Sequence, residues 1–293
     1  MNLKIDQDTS IGLIGTGIMG ASIASHLLNH GYRLFVFNRT KEKANILVSK
    51  GAKWSESPKN IAQTCQVIFT MLGYPEDVSR IYLEQDGLIF NAKPNTILID
   101  MTSSSPSIAK EIAKVSQTKN IATLDAPVSG GDSGAKSGTL SIMVGGEKST
   151  FETVLPLFKT FGKTIVYQGL AGSGQHTKLS NQILIASYMI GVCEAFQYAK
   201  KNGLNPETVL ESVSGGAAGS WSLINLGPKM LRGDYAPGFY IHHFIKDMQI
   251  AVDECQQISL DLHNLKNCLT LYGKLPDSFK KTKGTQAIYE LFQ

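Results

Sequence analysis

The chain lacks any pair of cysteines at metal-binding spacing. Its four, Cys65, Cys193, Cys255 and Cys268, form no CxxC or Cys/His pattern, so neither a zinc centre nor a disulfide framework is indicated. A reducing, cytoplasmic setting is expected. An excess of one charge is missing too: 28 Lys and Arg stand against 24 Asp and Glu, a formal net charge of +4, scattered rather than blocked. Such a balance suits a mild attraction for anionic metabolites. With no recognised reader motif and no basic groove interleaved with aromatics, it gives no reason to expect nucleic-acid binding. The longest apolar run, 183–193, is short for a bilayer, and the opening "MNLKIDQDTS" has no apolar signal-peptide core. No membrane role is therefore expected, and no internal repeat or low-complexity tract is visible.

What is present is enough apolar material for two domains: 293 residues, 42% hydrophobic and 18% charged. Short β-rich runs at 11–15, 33–37, 67–72, 96–100, 122–127, 140–146 and 164–169 alternate with helical segments. The first helical segment spans 18–30 and stops at Gly31; another is opened by Pro106. Alternation at this interval predicts an α/β fold, a parallel sheet covered on both faces. Near residue 168 the pattern changes class. Helical periodicity then dominates, over 174–202, 206–214, 221–232 and 239–271, and the last ten residues or so are expected to fray. The division predicted is thus 1–168, an α/β domain, and 169–293, an all-helical domain joined to it through a long helix. The stretch 178–200 is apolar on most sides. It reads as a core helix, with or without a subunit interface.

Gly15-Thr16-Gly17-Ile18-Met19-Gly20 fits GxGxxG and lies between the first strand and the first helix. In that place the glycines allow a tight turn, close approach of a pyrophosphate, and close packing of helix on strand. A carboxylate about 20 residues downstream is the usual partner of the NAD ribose. Here "FVFNRT" puts Asn38, Arg39 and Thr40 there instead. Arginine offers a planar, permanent charge to a phosphate, so NADP is predicted, although an arginine stacked on adenine would tolerate either cofactor.

Two further stretches carry chemistry. In "DAPVSGGDSGAKSGTLSIMVGG", Ser129, Gly130 and Gly131 stand where a strand should end. They can turn backbone N–H groups and a hydroxyl toward a carboxylate, or simply form a surface hairpin. In "GSGQHTKLSNQ", Lys178 opens the apolar helix, and Asn181 and Gln182 follow it at helical spacing. A cation so near a helix's positive end gains nothing from the helix dipole. If shielded, such a lysine loses its proton more easily and can exchange protons with the alkoxide formed when hydride reaches a carbonyl, while Asn181 holds the same oxygen or the carboxylate. An interfacial lysine that snorkels into water is the plain alternative.

"GLIGTGIMG", "DAPVSGG" followed by "GAKSGTLSIMVGG", "GSGQHTKLSNQ" and "DYAPGFYIHHFIKDMQIA" occur in the order and spacing of the β-hydroxyacid dehydrogenases, which the chain resembles over roughly residues 10–275. That family includes 3-hydroxyisobutyrate dehydrogenase, tartronate semialdehyde reductase and the glyoxylate or succinic semialdehyde reductases. The resemblance implies an N-terminal NADP-binding Rossmann domain over 1–168, with a doubly wound, mostly parallel sheet, then a long connecting helix and a helical C-terminal domain that closes the cleft and mediates dimers or tetramers. It implies Lys178 as the catalytic lysine with Asn181 as neighbour, Ser129, Gly130 and Gly131 as the substrate-carboxylate loop, and Leu72 and Ser103 as cofactor contacts. Lys246 corresponds to the lysine that reaches the cofactor from the second domain, and Asp247 to its acidic partner. The "NRT" at 38–40 is similar to the NADPH-using branch. His243 stands where relatives usually have an apolar residue, with His242 beside it; the two alter the pocket or merely face solvent. Gly73 replaces a frequent proline and loosens its loop. The expected function is hydride transfer between NADP(H) and a small 3-hydroxy acid or carboxylate-bearing semialdehyde. Alternatives are an imine reductase-like enzyme, against which the lysine argues, and a nucleotide-sensing module without chemistry.

Overall fold

The structure is a computed structural model that describes residues 3–293. In chain order its elements begin β1 (Ser10–Ile14), α1 (Ile18–Asn29), β2 (Arg33–Phe37), α2 (Asn45–Ser49), β3 (Lys53–Trp54), α3 (Pro58–Thr64), β4 (Val67–Thr70), α4 (Pro75–Leu83), α5 (Leu88–Asn91), β5 (Ile97–Asp100) and α6 (Pro106–Gln117). Then come β6 (Ala122–Asp125), β7 (Val128–Ser129), α7 (Gly131–Ser137), β8 (Leu140–Gly146), α8 (Lys148–Phe158) and β9 (Gly162–Gly169). The remainder is helical: α9 (Ser173–Lys201), α10 (Pro206–Ser214), α11 (Trp221–Arg232), α12 (Ile241–Gln257), α13 (His263–Gly273) and α14 (Asp277–Thr282). Two compact units result, one up to Lys178 and one over Leu179–Gln293.

In the first unit nine strands run in the order β3-β2-β1-β4-β5-β6-β8-β7, with β9 beside β8. All pairs from β3 to β6 are parallel, while β8 lies antiparallel to β6 and β7. The sheet is thus mostly parallel, with an antiparallel turn at one side. Apolar side chains alternate between its faces: Ile11, Leu13, Phe69 and Ile99 join one core, and Ile14, Ile68 and Leu98 another. A sheet buried on both faces requires such near-continuous apolar strands. Gly31, at φ 82°, follows the end of α1 in the left-handed conformation that glycine reaches without steric cost. Ser105 caps α6 by accepting the Ser107 N–H, and Pro106 takes the first helical position, where no N–H is needed.

The second unit has its own core, in which Met189, Cys193 and Phe196 of α9 meet Phe244 and Met248 of α12. Two expectations fail here. The periodic stretch 239–271 is not one helix, because the chain breaks at 258–262, where Ser259 takes a left-handed φ of 55°. Nor do the last residues all fray: Ala287, Ile288 and Tyr289 are fully buried, and the Tyr289 ring packs edge-on against Phe196. Burying an aromatic ring contributes about 1.5–3 kcal/mol, enough to hold a short terminal segment in place. At 29 residues α9 is also long and apolar enough, by length and composition alone, to cross a bilayer, which its run 183–193 did not suggest. Part of its apolar surface, Met189, Cys193 and Phe196 included, builds the core of the second unit.

Candidate active site

Because β1, β2, β4, β5 and β6 run parallel, their carboxyl ends gather at one edge of the sheet, and most predicted site residues of the first unit follow directly from those ends. Gly15, at φ 97°, makes the turn after β1, and a side chain there would strike the Met71 carbonyl oxygen. One at Gly20 would strike the Gly15 carbonyl. At Gly17, by contrast, a methyl group would meet no protein atom within 4 Å. Helix α1 has no side-chain cap and no acidic residue in its first turn, so its positive end is left for an anion near Ile18 and Met19. The buried Thr16 hydroxyl oxygen in this turn has no hydrogen-bond partner among the described residues. Open space, an uncapped helix and an orphan hydroxyl fit a dinucleotide pyrophosphate.

After β2 the predicted trio divides its work. The Asn38 side-chain oxygen accepts the Thr16 N–H (3.0 Å), and its amide donates to the Thr40 carbonyl (2.8 Å), so Asn38 braces the glycine turn. Arg39 is the group left to offer charge: its side chain is 83% exposed, with Nη1 4.0 Å from Asp77 Oδ1. Arg80 Nη2 lies 2.9 Å from the same oxygen. An exposed guanidinium beside a carboxylate shared with a second arginine is held only weakly and can turn to a phosphate.

Leu72 and Ser103 lie on the turns after β4 and β5, and a buried network ties these turns together. Asp100 accepts the Thr70 hydroxyl (2.8 Å) and the Thr102 N–H (3.1 Å), Tyr82 bonds Thr70 (2.9 Å), and the Leu72 N–H donates to the Thr102 hydroxyl (2.9 Å). Burial pushes the Asp100 carboxyl up to about 6, against the pull of its hydrogen bonds. Asp125, which pairs with Asp100 across β5 and β6, is pushed up to about 6 by burial as well. Motif reading did not single out either acid. A lone Asp closing each of the apolar runs "ILID" and "TLD" was the signal available.

Asp125 also explains the lysine. Its two oxygens accept the N–H groups of Gly172 (2.8 Å) and Gln175 (2.9 Å), so a buried carboxylate sits at the positive end of α9. Gln175, fully buried, accepts the Ser104 N–H (2.9 Å) and donates to the Thr102 carbonyl (2.8 Å). One turn on, Lys178 is only 6% exposed, so it does not snorkel into bulk water. Ser129 ends β7, paired with Ser141, and Gly130 (φ 132°) and Gly131 (φ 64°) lead into α7. That pair of positive φ values is open to glycine at little cost and turns the backbone sharply at the edge where Asp125 lies. His26 of α1 steadies the far end of α7, its Nε2 lying 2.9 Å from the Ala135 carbonyl.

In the second unit Asn181 donates to the Gln182 side-chain oxygen (2.8 Å), Gln182 donates to Asp247 (2.6 Å), and Asp247 pairs with Lys246 (3.0 Å). Two hydrogen bonds and an ion pair therefore join the two predicted ligand contacts of this unit. His243 is half-buried, stacked on Phe239 and 4.1 Å from the His242 ring. Burial first, and then the charges of His242 and Lys246, push its imidazole down to about 4 despite Asp247. His242 Nδ1 donates to the Lys280 carbonyl (2.8 Å). Neither ring merely faces solvent.

Residues 10–169 match the family described as the NAD binding domain of 6-phosphogluconate dehydrogenase, and residues 172–292 the one described as NAD-binding of NADP-dependent 3-hydroxyisobutyrate dehydrogenase. "Uncharacterized oxidoreductase YkwC" of Bacillus subtilis is 53% identical over 97% of this chain and 98% of its own. "Probable 3-hydroxyisobutyrate dehydrogenase-like 1, mitochondrial" of Arabidopsis thaliana is 45% identical over 96% of this chain and 84% of its own. The solved structure of Mycobacterium tuberculosis 3-hydroxyisobutyrate dehydrogenase with L-serine matches at a TM-score of 0.90 and 27% identity, covering 98% of this chain and 99% of that one. With a glycine turn shaped for a dinucleotide and a buried lysine on the helix that leaves the sheet, the chain belongs to the 3-hydroxyisobutyrate dehydrogenase family of β-hydroxyacid dehydrogenases and is an NAD(P)-dependent oxidoreductase.

Proposed function

We propose that the protein transfers hydride between NADP(H) and a small 3-hydroxy acid or carboxylate-bearing semialdehyde, with Lys178 as proton donor and acceptor. The observation that carries this reading is the burial of Lys178 on a helix rooted at the ligand edge of the sheet. When bound, the nicotinamide supplies or takes up the hydride. In reduction the Lys178 ammonium steadies the charge growing on the substrate oxygen and gives it one proton; in oxidation the neutral amine takes that proton from the hydroxyl. Ser129, Gly130 and Gly131 receive the substrate carboxylate, and Asn181, one turn beyond Lys178, holds the reacting oxygen or the carboxylate. Gly15, Gly17, Ile18, Met19 and Gly20 cradle the pyrophosphate, Arg39 pairs with the 2′-phosphate, and Leu72, Ser103 and Lys246 contact the cofactor. The absence of a carboxylate at 38–40 supports NADP over NAD. Four buried free thiols suit a reducing, cytoplasmic compartment, and an exposed apolar stripe on α9 suits a homodimer or homotetramer.

The test is a steady-state screen of 3-hydroxyisobutyrate, L-serine, succinic semialdehyde and tartronate semialdehyde with both cofactors. On the best substrate, Lys178→Ala lowers kcat by about a hundredfold or more and leaves NADPH binding intact. Turnover unchanged by that substitution overturns the lysine's role. Arg39→Ala weakens NADPH by about tenfold, measured by nucleotide fluorescence, with little change for NADH. Equal losses for the two nucleotides would end the NADP assignment.

A further inference from the structure

A reacting ammonium works only if it is held still, and helix α9 is held by a small number of identifiable groups. Asp125, at the carboxyl end of β6, accepts the Gly172 and Gln175 N–H groups with separate oxygens. Gln175 grips the turn after β5 in both directions, through the Ser104 N–H and the Thr102 carbonyl, on either side of Ser103. Glycines make the approach feasible. A side chain at Gly174 would strike the Met143 and Asp125 carbonyls, and one at Gly145 would come within 2.6 Å of Asp125 Oδ1. The helix therefore meets the sheet at backbone distance, and residues three apart on an α-helix sit about one turn apart on one face. Lys178 follows Gln175 at that spacing.

We propose that Asp125 and Gln175 are positioning residues for proton transfer: by clamping the first turn of α9 to the carboxyl edge of the sheet, they set the place of the Lys178 ammonium relative to the Ser103 turn and the Ser129–Gly131 loop. The inference rests on the reading of Lys178 as the proton donor. Neither residue touches a reacting atom. The carboxylate has a second effect, since its negative charge at the helix's positive end offsets the unfavourable setting of a cation in the opening turns. Displacing a catalytic group by about 1 Å costs on the order of a hundredfold in rate, so loosening this clamp should show in kcat rather than in binding.

The variants are Asp125→Asn, which keeps one acceptor oxygen, and Gln175→Glu, which keeps the acceptor for the Ser104 N–H and loses the donor to Thr102. Full-length protein is assayed on the best substrate of the screen, alone and in the Lys178→Ala background, with amide hydrogen exchange of the α9 first turn as a readout free of turnover. Expected for each is a fall in kcat of about tenfold to a hundredfold with KM and NADPH affinity little changed, and almost no further fall when Lys178 is already alanine. Amides of residues 174–179 should exchange faster by about tenfold while those of β1, β4 and β5 do not change. Equal losses in both backgrounds would mean a merely structural role, and unaltered exchange would remove the clamp; either result overturns the inference. A fully active Lys178→Ala enzyme instead sinks the proton-donor reading, whatever the exchange data show.

Discussion

Asp100, at the end of β5, has a pH-dependent consequence of its own. Its carboxyl is pushed up from an ordinary 3.8 to about 6 by burial, partly offset by bonds from Thr102 and Thr70 and reinforced by neighbouring Asp125. The folded protein therefore binds the proton more tightly than the unfolded chain does. Between pH 3.8 and about 6 the folded state carries more of that proton, so the contribution of Asp100 to stability falls as pH rises through this window and stays low above it. The change amounts to about 3 kcal/mol at most. Asp100→Asn retains an acceptor for Thr70 and Thr102 but cannot ionise. In urea unfolding at pH 4 and pH 7 it should thus gain on the native protein by up to that amount at the higher pH. Parallel stability curves for the two proteins would show that the carboxyl is not perturbed.

Helix α9 shows how one element can serve different ends along its length. Its first turn is pinned by Asp125 and Gln175, and its middle supplies Met189, Cys193 and Phe196 to a core. Leu184 (54% exposed), Tyr188 (43%) and Tyr198 (71%) recur with Gly191 and Ala195 at seven-residue spacing, an apolar stripe on the outer side. Buried and exposed stripes on one helix account for the weak amphipathicity that its sequence shows. If this stripe is the seat of subunit association, Tyr188→Glu raises the dissociation constant by about thirtyfold, read by sedimentation velocity, while circular dichroism stays native. A native protein that sediments as a monomer at all concentrations would leave the stripe without that role.

For the molecule as a whole, much of the architecture is legible in the sequence. The glycine turn at 15–20, the helix stop at Gly31, the strand alternation and the change of class near 168 all follow from local geometry: positive φ, periods of two and of 3.6, and capping. The α/β sheet followed by helices is the architecture that these signals predict. Strands of two residues, β3 and β7, were not readable, because so short a run has no period. Nor was the antiparallel turn of β8, since a local pattern does not state which neighbour a strand takes. Burial of Ala287, Ile288 and Tyr289 near the terminus depends on partners distant in sequence, among them Phe196.

The division is one of range. Local chemistry along the chain was enough to specify the nucleotide fold, the missing acid after β2 and the odd lysine at 178, because each depends on neighbours within a few residues. Folding decided what surrounds them. It paired Asp100 with Asp125 on adjacent strands, brought Gly172 and Gln175 onto a carboxylate about 50 residues away in sequence (|i−j| of 47 and 50), and occupied the Asn38 side chain with backbone while leaving Arg39 exposed. Burial and long-range hydrogen bonding exist only once the chain is closed, and they determine whether a lysine is a surface charge or a held, desolvated one.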